Sequence, residues 1–181
     1  GRWPPEAALD TIQGWTRRYD SLFTDYDPHG PLSILRGRLG DTVRPDPRIV
    51  AILRGALPAM AASRGSLDIG LHDLKEVWGL DAPEPRLPDP ALVRRALRRR
   101  FGTDSVSSFR PPLEILADGR VVLLVDSLPI DLGGIAKGWV VDQLSRKLVE
   151  LGYPVHLIQG GGEIATHGRK AKGAWKLGVK N

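Results

Sequence analysis

The sequence predicts an α+β fold, layered, with a mainly antiparallel sheet packed against helices. Three observations carry that prediction. Helix-period apolar spacing dominates the first hundred residues, and strand-period alternation begins only at Pro112. Asp118-Gly119, flanked by Leu113 to Ala117 and Val121 to Val125, is a hairpin signal. A single helical stretch then separates those strands from the next apolar run, so a doubly wound alternation is not supported.

Each element has its own local reason. Pro4 and Pro5 precede Glu6 as a helix start prefers, and Leu9, Ile12, Trp15, Tyr19 and Leu22 follow at helical spacing. Thr24 to Thr42 is rich in Gly, Pro, Asp and Arg and reads as a loop with at most short structure. Asp46-Pro47 caps and opens a helix whose stripe is Ile49, Leu53, Ala56 and Met60, with Pro58 expected to bend or split it. His72 to Trp78 reads as a short helix ending at Gly79. The proline-rich stretch Asp81 to Pro90 reads as a linker. Asp89-Pro90 then opens a further helix that ends near Phe101. Ile130 to Leu132 reads as a short strand entering Gly133-Gly134. Val141, Leu144, Leu148 and Leu151 mark a helix, and Val155 to Gln159 a strand. Trp175, Leu177 and Val179 alternate with polar residues as a half-buried strand at the C-terminus. A terminal strand without a following partner predicts that more chain belongs to the fold. The whole, residues 1–181, is expected to be a single domain, incomplete at both ends.

Composition narrows the function classes. The 26 Lys and Arg against 21 Asp and Glu give a net charge of +5, a mild preference for anionic partners. Cysteine is absent, which excludes disulfides, thiolate nucleophiles and cysteine metal sites. Arg94, Arg95, Arg98, Arg99 and Arg100 occupy one side of their helix without interleaved aromatics. They read as a solvated face near a helix C-terminus rather than a nucleic-acid surface, so no nucleic-acid partner is expected. His29, His72, His156 and His167 show no zinc spacing, and His156 reads as a core or sheet-face residue. No nucleophile-elbow, Walker A or dinucleotide fingerprint is present.

The chemistry-bearing pattern is Asp131-Leu132-Gly133-Gly134-Ile135-Ala136-Lys137-Gly138, then Asp142, then Gly160-Gly161-Gly162-Glu163. Paired glycines permit a sharp turn and a close approach of backbone to ligand. A helix opening at that turn aims free N–H groups and a positive dipole end at an anion, and Lys137 adds a mobile charge. Asp131 can accept from a ribose or amide donor, or face a metal. The same glycines would equally serve as tight connections between strand and helix.

This run resembles the signature of the ApbE-like FAD:protein FMN transferases. Further segments resemble family motifs in order: Tyr26-Asp27-Pro28, Gly65-Ser66-Leu67-Asp68, Val77-Trp78-Gly79 and Gln159 to Glu163. The resemblance implies an ApbE-like layered fold and cleavage of FAD at its diphosphate with a divalent metal, usually Mg2+. It also implies transfer of FMN to a threonine on an acceptor protein, with release of AMP. A non-catalytic relative that binds or stores FAD is the alternative. By position, Tyr26, Ser66, Leu67, Asp68, Asp131 and Lys137 match residues that contact FAD, and Gly134 matches one whose carbonyl binds the metal. Plainer structural readings stand beside two of the motif residues: Trp78 as core rather than flavin-stacking, and Asp68 as a turn-stabilising carboxylate. No catalytic residue is assigned.

The resemblance also has gaps. The family's early Met-Gly-Thr strand is missing, Gly30-Pro31-Leu32-Ser33 is a poor serine segment, and Arg36 replaces an asparagine. None of the family's later Asp and Thr metal ligands, nor its His-x-x-Asp-Pro segment, is among these residues, so these residues by themselves do not complete the family's metal site. The resemblance implies that the acceptor is a flavin subunit of a membrane redox complex. That implies work in the periplasm or cell envelope, at the outer face of the cytoplasmic membrane, with an N-terminal anchor as a possible attachment.

Overall fold

The structure is a computed structural model that describes residues 6–80, 82–84, 87–104 and 110–178. Pro4 and Pro5, Asp81 and Pro85 of the linker, and Val179 of the expected terminal strand lie outside the described residues. The chain forms two compact units, Ser21–Gly134 and Gly1–Asp20 with Ile135–Asn181.

In the first unit, a short 3-10 helix, Pro31–Leu35, leads to β1 (Thr42–Val43) and then α2 (Pro47–Ala62). Asp46 caps α2, its carboxylate accepting from the Arg48 N–H at 2.8 Å. Ile49, Ile52, Leu53, Ala56 and Met60 have no exposure at all, which is the expected apolar stripe with Ile52 added. The helix runs unbroken through Pro58. Gly65 follows in the left-handed region at φ 83°.

Helix α3 (His72–Trp78) stops at Gly79 and α4 (Pro90–Phe101) at Gly102, both left-handed glycines. Only residues without Cβ enter that conformation at little cost, which makes these stops local and sequence-determined. Asp89 caps α4 through the Ala91 N–H, at 2.8 Å. β2 (Leu113–Ile115) and β3 (Val121–Leu123) form the expected hairpin, and β1 joins it in the antiparallel order β1-β3-β2. The hairpin closes by Gly119 N–H to Leu116 C=O and Leu116 N–H to Arg120 C=O, with Gly119 at φ 82°. Asp118 therefore precedes a single left-handed glycine instead of sharing a two-residue turn with it. Leu113, Val121 and Leu123 are buried.

Ile130 to Leu132 forms no strand. The Asp131 N–H donates to the Ile69 C=O at 2.8 Å, and Ile69 lies in a loop that offers no ladder. Trp78 is 45% exposed, so its expected core role is overturned: α3 has only seven residues and turns its last one outward at the Gly79 stop.

The second unit carries all but the last three residues of α1 (Glu6–Phe23) and all but the first two of α5 (Gly133–Glu150), and its β4 (His156–Gly160) pairs antiparallel with β5 (Glu163–His167). Along α1, the Trp15 and Tyr19 rings meet tilted at 5.8 Å, and Tyr19 meets Trp139 of α5 edge-on at 5.4 Å. Leu9, at the start of the expected stripe, is 44% exposed. His156 is buried, as expected of a sheet-face histidine. Its Nδ1 lies 2.7 Å from the Tyr153 C=O and its Nε2 2.8 Å from Ser145 Oγ of α5. It also stacks on His167, its cross-strand partner, at 5.6 Å. Helix α5 joins two separate sheets rather than crossing over one. Trp175 to Gly178 forms no strand, because no described segment pairs with it.

Candidate functional site

Three segments of the first unit converge on one charged cluster. Asp25 comes from the loop after α1, His72, Lys75 and Glu76 from α3, and Asp131 from the stretch before α5. Residues 72, 75 and 76 share a face of α3 by helical spacing. His72 Nδ1 lies 3.0 Å from Asp25 Oδ2, and its Nε2 lies 3.3 Å from Glu76 Oε1. Lys75 Nζ sits 3.7 Å from Asp25 Oδ2 and 3.4 Å from Asp131 Oδ2. It also stands 5.3 Å from the centre of the Tyr26 ring, within cation–π range. One ligand atom each from Asp25, His72 and Asp131 lies within 4.8 Å of the others, the size of a cation site. The chain supplies its own cation there, the Lys75 ammonium.

Asp131 is held from a second side. Its Oδ1 accepts the Gly133 N–H at 2.6 Å, capping α5 at its first residue. A Cβ on Gly133 would stand 2.9 Å from that oxygen, and one on Gly134 2.9 Å from Leu67 Cδ1. Both glycines therefore leave space that side chains already use. Tyr26 is 72% exposed, and Ser66 is exposed beside half-buried Leu67. The Leu67 N–H donates to Ser63 Oγ at 3.1 Å, which fixes the loop that presents both.

Asp68 is different. Its carboxylate is buried, accepts the Gly70 N–H at 2.8 Å, and pairs with both Nε and Nη2 of Arg100. The turn-stabilising reading of Asp68 is thus met, and an ion pair is added to it. Arg100 also donates to the Arg110 C=O at 2.6 Å. This corrects the reading of the arginine helix as wholly solvated: Arg100 faces inward because Asp68 waits there, while Arg98 and Arg99 stay out, paired with Asp104 and Asp73.

The second unit carries Lys137, one turn into α5, largely exposed and 3.4 Å from Glu163 Oε1. The glycine run Gly160-Gly161-Gly162 turns out to be the β4–β5 hairpin turn, with Gly161 and Gly162 at φ 64° and 116°. A Cβ on Gly160 would meet Val141 Cγ2 at 2.9 Å, which seats this hairpin directly on α5.

The site residues divide by the signal that could find them. Tyr26, Ser66, Leu67, Asp131, Lys137 and Gly134 stand in motifs. Asp25, His72, Lys75 and Glu76 stand in none and are joined only by folding. Among the described residues, no helix is long and apolar enough to cross a membrane.

The profile of the ApbE family matches residues 5–181. The FAD:protein FMN transferase of Haemophilus influenzae is 25% identical over 134 residues, which are 71% of this chain and 37% of that protein. Its counterpart in Treponema pallidum is 25% identical over 165 residues, 91% of this chain and 45% of the other. The crystal structure of the apo flavinyl transferase ApbE of Pseudomonas stutzeri superposes with a TM-score of 0.81 at 20% identity, over 98% of this chain and 57% of that one. That likeness shows the fold, α+β as the sequence predicts. The chain spans less than half the length of these curated relatives. By the match along almost its entire length, the chain belongs to the ApbE family.

Proposed function

We propose that the protein carrying this chain is an FAD:protein FMN transferase, and that this chain supplies much of its nucleotide-binding surface. The observation that carries the reading is the family match over residues 5–181, together with relatives named for that activity. In the reaction, a threonine hydroxyl oxygen of an acceptor protein bonds to the FMN-side phosphorus of FAD. The P–O bond to the adenylate breaks, AMP leaves with the bridging oxygen, and the threonine proton passes to a base or water.

The residues of this chain have roles suited to binding. Asp131, fixed by the Gly133 N–H, accepts from a nucleotide donor. Tyr26 offers an exposed ring, and Ser66 and Leu67 line the neighbouring loop. Lys137 exchanges Glu163 for a phosphate oxygen. Asp68 contributes by holding its loop through Arg100 rather than by offering its carboxylate. Mg2+ is proposed to meet this chain at one oxygen, the Gly134 carbonyl in the first turn of α5, the position that the family resemblance matches. The ion commonly keeps waters and phosphate oxygens for most of its six positions. When bound, it would neutralise charge on the diphosphate. The acceptor is proposed to be a flavin subunit of a membrane redox complex, reached in the periplasm or cell envelope.

A second reading is FAD binding without transfer, and in both readings the Asp68 carboxylate stays engaged inside the protein. One experiment separates the two. The full-length protein is incubated with FAD, Mg2+ and a threonine-bearing acceptor, and the acceptor is weighed by mass spectrometry. Gain of one FMN mass with AMP in solution is expected. FAD binding without that gain supports the second reading, and no binding removes both.

A further inference from the structure

Lys75 is the hub of the charged cluster, and no family motif contains it. Its ammonium touches the carboxylates of Asp25 and Asp131 and stands over the Tyr26 ring. Two of those three partners, Asp131 and Tyr26, are residues to which the flavin-nucleotide reading gives a binding role. All four side chains belong to the same compact unit.

The physical need for a cation here is direct. The side chains of Asp25 and Asp131 are only 10% and 18% exposed, so their mutual repulsion is poorly screened. Asp131 Oδ1 is committed to the Gly133 N–H, which leaves Oδ2 as the oxygen whose direction Lys75 sets. Without Lys75 the carboxylate swings away from Asp25, which spoils its use as an acceptor at a defined place. Lys75 itself retains 22% side-chain exposure, enough for a ligand at Asp131 to sense its charge.

We propose that Lys75 is a positioning residue for the flavin nucleotide: it fixes the Asp131 carboxylate and the Tyr26 ring, and it balances Asp25. This rests on the flavin-nucleotide reading above. Lys75 then acts on FAD binding and little on the chemical step. The test is FAD titration of the full-length protein, followed by flavin fluorescence, with melting temperature and KM against kcat measured in parallel. Lys75→Met is expected to raise the FAD Kd about tenfold while kcat at saturating FAD stays within about threefold. Lys75→Arg should recover most of the affinity. The double variant Lys75→Met with Asp25→Asn should bind FAD better than Lys75→Met alone, because the uncompensated repulsion is gone.

A purely structural lysine would lower the melting temperature and leave the FAD Kd of the folded protein unchanged. Unchanged affinity in Lys75→Met overturns the inference while leaving the flavin reading intact. Loss of affinity that neither Lys75→Arg nor the Asp25→Asn background relieves also overturns it. Wild-type protein that binds no FAD overturns the flavin reading itself, and this inference with it.

Discussion

Arg100 and Asp68 form a two-pronged ion pair, Nη2 to Oδ2 at 2.8 Å and Nε to Oδ1 at 3.1 Å, with side-chain exposures of 1% and 0%. The pair ties the last turn of α4 to the loop after α2. Gly70 lies under it: a Cβ there would stand 2.6 Å from Arg100 Nε. Because both charges are out of water, each is stable only while the other is present.

Arg100→Met is accordingly expected to destabilise the protein by about 3–5 kcal/mol, since it strands a buried carboxylate. Urea unfolding measures it. The double change Arg100→Met with Asp68→Leu should recover much of that loss. A single-variant cost below about 1 kcal/mol would mean that Asp68 finds water or another donor.

The cap of α2 carries a pH signature. The Arg48 guanidinium bonded to Asp46 is the main cause holding that carboxyl below the usual carboxylate range, helped by the Arg48 N–H and opposed by burial. A lowered folded pKa contributes stability that is complete above the unfolded value, about 3.9, and is lost as pH falls through the folded one. Asp46→Ala should cost about 1 kcal/mol at neutral pH. Its gap from wild type should close below pH ~4, as measured by thermal melts across that range. A gap constant down to pH ~2 would contradict the capping account.

Lys137→Ala is expected to weaken FAD binding by about 1.5–3 kcal/mol, the loss of one charge-assisted contact. Melting temperature should barely change, because the Lys137 side chain is 63% exposed and its ion pair with Glu163 is a surface one. Isothermal titration with FAD decides the matter. Equal affinities would show that Lys137 stays with Glu163 when the nucleotide binds.

Two glycines should respond differently to alanine. Gly168 sits at φ 67°, and a Cβ there would lie 2.5 Å from the Pro154 carbonyl oxygen, a backbone atom that cannot yield. Gly168→Ala is expected to cost about 1–2 kcal/mol for the left-handed backbone and roughly 1–3 kcal/mol more for the overlap. Gly134→Ala meets only the end of the Leu67 side chain, which can rotate, and should cost less than about 1 kcal/mol. Chemical denaturation of both variants compares them. Equal costs would show that the backbone at Gly168 relaxes.

The sequence by itself determined whatever rests on neighbours along the chain. The Asp46 and Asp89 caps, the Gly79 and Gly102 stops and the Asp118-Gly119 hairpin are satisfied within a few residues, so composition and spacing suffice to read them. The ordered glycine and aspartate motifs gave the family for the same reason. Tertiary structure alone decided the rest. Ile130 to Leu132 has a strand's composition and lacks a strand's partner. Trp78 has an apolar ring and an exposed position. Arg100 was one of five similar arginines until folding placed Asp68 within its reach. The meeting of Asp25, His72, Lys75 and Asp131 is the same kind of fact. Each is an ordinary polar residue, and long-range contacts that close wide loops, invisible to any local pattern, bring their three segments together.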